Sequence, residues 1–310
     1  MTLRVTFLGT SGAVPTTRRG LSAIMVNREG ERFLFDCGEG TQRQMMRFAT
    51  GFDVDHMLLT HLHGDHVLGI PGLVQTWDFQ DRDDSLAIHA PPGSRRNVEN
   101  LINAMGHDTG FPIRIHEVTP GGVAIDAEEY EIRTFETEHR TTSMGYALVE
   151  DDRPGRFMRE KAEEELGIPP GPAYGKLHAG ESVELDDGRV INPDQVVGEP
   201  RPGRALVYTG DTRPVETTVE AADEPDLLIH DATFDDSETG RARSTGHATA
   251  REAGEIAARA GASRLAMTHI SSRYAGDPRS HEREADAAFD GESFVAEDGQ
   301  TVEIPFPDKA

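Results

Sequence analysis

Cysteine is almost absent from this 310-residue chain: Cys37 is the single one. It cannot form an internal disulfide, so no disulfide framework organises the fold, and a reducing cytoplasm is the expected compartment. Cys37 lies in an apolar, strand-like run and reads as a small buried side chain. Long apolar runs are also missing, and none approaches the ~20 residues that a membrane span needs. The opening Met1-Thr2-Leu3-Arg4-Val5 enters a strand pattern at once, without the pattern of a signal peptide. There is no internal repeat and no low-complexity tract. Lysine is scarce too, at Lys161, Lys176 and Lys309 only, the other basic residues being arginine.

Acidic residues, by contrast, are abundant, and the formal net charge is -24. High Asp plus Glu with so little lysine points to a protein adapted to molar intracellular salt. Such a charge argues at first against a nucleic-acid partner, which should meet a basic face. In about 1 M salt the Debye length is only ~3 Å, so diffuse repulsion is screened and close arginine–phosphate contacts matter more. Net charge therefore leaves an RNA partner open.

The densest chemistry is Thr60-His61-Leu62-His63-Gly64-Asp65-His66. It follows Met57-Leu58-Leu59, which reads as a buried strand, and precedes Val67-Leu68-Gly69-Ile70, which reads as a helix start. A strand-to-helix turn can aim successive side chains into one pocket. Imidazole and carboxylate are ligands for zinc or a similar divalent ion. His61 and His63, two apart in an extended segment, point the same way. Asp65 and His66 then face a second ion beside the first. His139, Asp211, His230 and His269 each stand where a strand-like run gives out, as active-site residues of layered α/β folds do.

Elsewhere Leu3 to Leu8 reads as a strand, and Ala23–Val26 with Arg32–Phe35 as a hairpin about Arg28-Glu29-Gly30. Thr41 to Phe48, Ser94 to Met105 and Arg251 to Ala260 read as helices, and residues 113–135 as short strands. Strands and helices alternate in two successive halves, which suits two sheets packed face to face under helices. From 150 to 180 the chain holds Pro154, Pro169, Pro170 and Pro172 with several glycines. A short charged helix candidate, Arg156 to Leu166, lies between them. No core-forming period is visible there, so this segment is expected to project from the body.

In these motifs the chain resembles tRNase Z of the metallo-β-lactamase superfamily. The resemblance runs over nearly the whole chain. It is carried by Leu8-Gly9-Thr10-Ser11-Gly12, the histidine run, Gly167-Ile168-Pro169-Pro170-Gly171-Pro172 and Tyr208-Thr209-Gly210-Asp211. His230-Asp231-Ala232-Thr233, Gly246-His247-Ala248-Thr249 and Thr268-His269 complete it. The resemblance implies a single αββα sandwich over 1–310, with 150–180 as an inserted arm that grips tRNA through Gly171 and Pro172. It implies a homodimer that removes the 3′ trailer of precursor tRNA, leaving a 3′-hydroxyl and a 5′-phosphate.

By the same resemblance, two ions share a bridging hydroxide and Asp211. His61, His63 and His139 hold the first, and Asp65, His66 and His269 the second. Zinc is the expected metal, with manganese or iron also admitted by the donor set. Asp65 would also orient or deprotonate the nucleophile, and His247 would protonate the leaving oxygen. Asp36, His230 and Asp231 would support the ligands from behind, and Arg251 and Arg273 would clamp phosphates. The family usually has Glu at Asp231 and Ser at Ala248. In the loop Pro15 to Gly20 it has Lys at Thr17 and Asn at Gly20, leaving contact there to Arg18 or Arg19. A hydrolase of small phosphodiesters or esters on the same fold, and a catalytically silent RNA-binding subunit, are the alternative readings.

Overall fold

The computed structural model describes residues 2–106 and 108–307; Lys309 lies outside them. Two compact units emerge, one of Met1–Val149 with Ala205–Pro305, the other built on Glu150–Arg204 together with Phe306.

Among the described residues the first unit holds two seven-stranded sheets. One runs Thr301–Glu303, Leu3–Gly9, Ala23–Arg28, Glu31–Phe35, His56–Leu58, Leu86–Ala90, Ile113–Glu117. Its last four strands are parallel. The Ala23–Arg28 and Glu31–Phe35 hairpin turns at Glu29 (φ 54°) and Gly30 (φ 109°), the paired left-handed geometry that tight hairpins need. The other sheet runs Glu292–Val295, Arg264–Thr268, Leu227–Asp231, Ala205–Tyr208, Met144–Glu150, Tyr130–Glu136, Val123–Asp126. Its first four strands are parallel.

Burial shows why the layers stack. The inward faces of both sheets meet in one core containing Val5, Phe33, Phe35, Leu58, Tyr146, Leu206 and Ile229. The outer face of the first sheet packs on helices Thr41–Arg47, Ile70–Phe79 and Arg95–Ile102 through Met45, Leu73, Trp77 and Val98. The outer face of the second sheet packs on Ala250–Arg259 and Arg279–Asp286 through Ala253, Ile256, Ala257 and Ala285. Three apolar interlayers make four layers, the expected αββα sandwich. Cys37 is buried, and burial pushes its thiol up to about 12, so it is inert packing.

The second unit departs from expectation in two respects. The compact body continues past 180 to Arg204, and it has a small core of its own in Ala162, Ile168, Leu177, Ile191 and Val196. The charged stretch expected as a helix over Arg156 to Leu166 is helical from Arg159, and most of it is the π-helical turn Lys161–Glu165. Pro172 starts the helix Pro172–His178, where a missing N–H costs nothing. Inside this unit Arg204 and Glu150 form a buried two-pronged ion pair, both bonds 2.7 Å.

Candidate active site

The side chains converge because the parallel strands all end on the same side. His61 follows His56–Leu58, Asp211 follows Ala205–Tyr208, and His269 follows Arg264–Thr268. Ligands of open α/β sheets gather beyond the carboxyl ends of the strands for this reason. His139 arrives from the loop between Tyr130–Glu136 and Met144–Glu150.

Three overlapping groups result: His61, His63, His139 with Asp211; Asp65, His66, His269 with Asp211; and Asp211, Asp231, His247 with His269. In each group the potential ligand atoms lie within 4.8 Å of one another. His61 Nε2 and His139 Nε2 stand 3.1 and 3.2 Å from His63 Nδ1. Asp211 Oδ2 is 3.6 Å from His61 Nε2, and Asp211 Oδ1 is 3.2 Å from His66 Nε2 and 3.3 Å from His269 Nε2. The Asp211 carboxylate thus faces both halves.

The opposite ring nitrogens are tied down. His61 Nδ1 donates to Thr60 Oγ1 (3.0 Å), which donates onward to Asp36. His66 Nδ1 donates to Asp36 Oδ2 (2.8 Å). His139 Nδ1 donates to the Gly246 carbonyl (2.7 Å), and His269 Nδ1 to Thr233 Oγ1 (2.8 Å). These partners fix each tautomer and leave Nε2 with a lone pair turned inward. Asp36 also accepts from the Thr60 N–H and the Tyr208 hydroxyl, each at 2.8 Å.

The residues present fit divalent cations. His66 Nε2 and Asp211 Oδ1 are buried without a hydrogen-bond partner, a costly arrangement for a protein interior. Burial holds His61, His63 and His139 below the usual imidazole pKa. Burial also opposes charge on His66, but the Asp211 and Asp36 carboxylates outweigh it and raise that pKa well above normal. Burial would raise Asp65 and Asp211, yet the surrounding imidazoles carry both below the carboxylate range. The pocket therefore offers neutral imidazoles at His61, His63 and His139 and ionised carboxylates at Asp65 and Asp211, whereas His66 holds a proton between two carboxylates that a bound cation would displace.

Backbone conformation supports this arrangement. Asp36 and His269 sit at φ 56° and 60°, a region that non-glycine residues rarely occupy and that clusters at functional sites. A Cβ on Gly12 would stand 2.5 Å from the His269 ring, so only glycine lets that imidazole close on Asp65. Asp65 Oδ2 accepts from the Ala13 N–H at 2.7 Å and faces His269 Nε2 at 3.3 Å.

Beside this centre His247 Nδ1 donates to Asp231 Oδ2 at 2.8 Å. The shorter carboxylate at 231 therefore still reaches the imidazole. Its Oδ1 accepts from the Thr233 N–H and hydroxyl, at 2.8 and 2.7 Å. Burial would depress the His247 pKa, but Asp231 outweighs it and lifts the value to about 9. Ala248 is fully buried.

Other expected residues lie elsewhere. His230 is buried and directs Nδ1 to the Asp231 carbonyl (2.7 Å), outside the three groups. Arg251 Nε pairs with Asp236 Oδ2 at 2.6 Å, and Arg273 Nη1 with Glu238 Oε1 at 3.3 Å. Arg19 is buried, bonded to Thr10 Oγ1 (2.6 Å) and to the Ala296 carbonyl, whereas Arg18 is exposed. Gly171 and Pro172 are exposed on the second unit. Sequence reasoning missed Thr60, Thr233, Tyr208 and the pair Arg213–Glu252. Only the last had a local signal, the capping-box spacing Thr249 to Glu252.

A family model described as the metallo-beta-lactamase superfamily matches residues 16–269. A protein named Ribonuclease Z from Haloferax volcanii is 65% identical over 308 residues, spanning 99% of this chain and 97% of that relative. The chain belongs to the ribonuclease Z family. Another family member, from Myxococcus xanthus, is 47% identical over 99% of each chain. The crystal structure of human tRNase Z, short form, superposes with a TM-score of 0.72 at 28% identity, covering 98% of this chain and 100% of that one. Metal-dependent hydrolysis is the chemistry of this fold, and the His/Asp groups agree with it.

Proposed function

We propose that this protein is an endoribonuclease that removes the 3′ trailer from precursor tRNA. The observation that carries the reading is the donor set around Asp211 with the His247–Asp231 pair at its edge. Two divalent ions, zinc in this reading, would be held by His61, His63, His139 and by Asp65, His66, His269 with Asp211 shared, and would supply an ionised water and withdraw charge from the phosphodiester.

Asp65, pinned by the Ala13 N–H, orients the attacking water. His247 holds a proton on the ring nitrogen away from Asp231 and delivers it to the departing 3′ oxygen. The products are a tRNA 3′-hydroxyl and a trailer 5′-phosphate. Arg251 and Arg273 exchange Asp236 and Glu238 for substrate phosphates, since guanidinium forks serve either anion. The 150–180 segment, with Gly171 and Pro172 exposed, grips the tRNA. Exposed Met46 and Phe79, in the helices Thr41–Arg47 and Ile70–Phe79, and Leu68, just before the second helix, give a homodimer its apolar contact. Among the described residues no helix is long and apolar enough to cross a membrane, and the substrate assigns the protein to the cytoplasm.

A labelled precursor tRNA tests the reading, with wild type beside Asp65→Ala and a chelator control. One cut after the discriminator nucleotide, lost in both controls, supports it. Turnover of a small phosphodiester with no cut in tRNA by folded, metal-loaded protein would move the assignment to a general phosphodiesterase.

A further inference from the structure

Six of the thirteen histidines bring ring atoms to the centre described above. Away from it, His56, His89 and His116 line one open cavity of about 630 Å³, with Glu31, Asp55 and Arg114 on the same wall. Three neighbouring parallel strands place them there. His89 stands opposite Leu58 on one side and opposite His116 on the other, and His56 shares the face of Leu58 two residues along. That face otherwise builds the apolar core between the sheets, so a row of imidazoles on it needs a reason.

We propose that His56 and His89, joined by His116, form a second divalent-metal site, distinct from the catalytic centre and suited to an imidazole-preferring ion such as zinc. His56 Nδ1 and His89 Nε2 face each other at 3.1 Å. The same spacing separates His61 from His63 and recurs within 0.1 Å between His63 and His139, in a group whose potential ligand atoms all lie within 4.8 Å of one another. The other nitrogen of His56 looks at Glu31 Oε1 at 3.6 Å. That distance is long for a hydrogen bond, yet a carboxylate behind the ring is the usual companion of a ligating histidine.

Charge points the same way. Glu31 and Asp55 outnumber Arg114 on the wall, which favours a cation over an anion. Burial drives the His89 pKa down to about 3, so its imidazole is neutral and available as a ligand throughout the physiological range. His116 stacks on His89 with centroids 5.2 Å apart and rings inclined by 19°. It is exposed, and exposed side chains change rotamer freely, so it can swing a nitrogen towards the His56–His89 pair. Water completes the coordination, as the open cavity allows. The borderline donors select zinc, nickel or copper over magnesium or calcium.

The test is equilibrium dialysis of the purified full-length protein against Zn²⁺, with bound metal measured in wild type, His56→Gln and His116→Ala. Wild type is expected to hold one more zinc per chain than folded His56→Gln, as checked by circular dichroism, and to hold it more tightly than His116→Ala. His116 is exposed, so its replacement carries little folding risk. Cleavage of precursor tRNA should be unchanged in both variants, because neither residue belongs to the catalytic machinery. Equal zinc content and affinity in all three folded proteins would overturn the site and leave His56 as the middle of a Glu31–His56–His89 relay.

Discussion

Arg213 and Glu252 face each other as a two-pronged ion pair beside His247, with Nη1 2.8 Å from Oε2 and Nη2 2.5 Å from Oε1. The same Arg213 Nη1 donates to the main-chain carbonyl of His247. Glu252 in turn accepts from the Thr249 N–H at 2.9 Å, and Thr249 Oγ1 accepts from the Glu252 N–H at 3.2 Å. The start of helix Ala250–Arg259 and the backbone of His247 are thus locked to one guanidinium.

Arg213→Ala should therefore misplace His247 without removing it. Small displacements of a reacting group can cost ~100-fold in rate, and a loss of that order in single-turnover cleavage is expected, with substrate affinity little changed. Thermal stability should fall by roughly 1–3 kcal/mol, below the 3–5 of a fully buried broken pair, because both side chains keep some exposure. Arg213→Lys restores charge but not the fork, so it should rescue stability better than rate. Equal rates in wild type and Arg213→Ala would exclude the positioning role.

The histidine run was legible because its donors are local: type, spacing and the strand before it are all visible within a few residues. The distant ligands His139, Asp211 and His269 show in the sequence only as polar residues at strand ends, assigned through the family resemblance; the contacts that bring them together do not show. His269 closes on Asp65 only because Gly12, far from both in sequence, has no side chain. Arg18 and Arg19 look alike in the chain, and only the contacts of Arg19 with Thr10 and Ala296 separate the buried one from the exposed one. The core of the second unit escaped notice because Ala162, Ile168, Leu177, Ile191 and Val196 follow no helical or strand period. Their burial depends on turns rather than on a repeating face.

Gly12 itself can be tested. In Gly12→Ala the new Cβ would collide with the His269 ring, so one of the two backbones must yield. Metal held by the Asp65, His66 and His269 half should weaken ~10–100-fold, the range seen when the support of a ligand is disturbed. Competition with a chromophoric chelator reads this directly. Retained affinity would mean that the loop shifts without cost.

The His247–Asp231 pair sets an alkaline limit. His247 carries a pKa of about 9, so it is protonated at neutral pH and can serve as an acid. Cleavage should fall as pH rises through that value, and cations bound at Asp211 would draw the limb lower. Asp231→Asn removes the charge that raises the pKa, so the limb should move to lower pH and the neutral rate should drop. A pH–rate profile unchanged by Asp231→Asn would detach His247 from proton transfer.

His281 gives a stability prediction free of the metal centre. Burial lowers its pKa from 6.5 to about 4, because a charged imidazole there loses its water. Between pH 4 and 6.5 the unfolded chain therefore binds a proton that the folded chain does not. Stability from this residue is complete above pH 6.5 and declines as pH falls towards 4, by up to ~1.4 kcal/mol per pH unit. His281→Gln cannot take up that proton. Although it loses packing against Tyr274, whose ring centroid lies 4.5 Å away, its stability should fall less steeply with acid than that of wild type. Urea midpoints at pH 7 and pH 5 measure the difference. Parallel declines in the two proteins would place the acid sensitivity elsewhere.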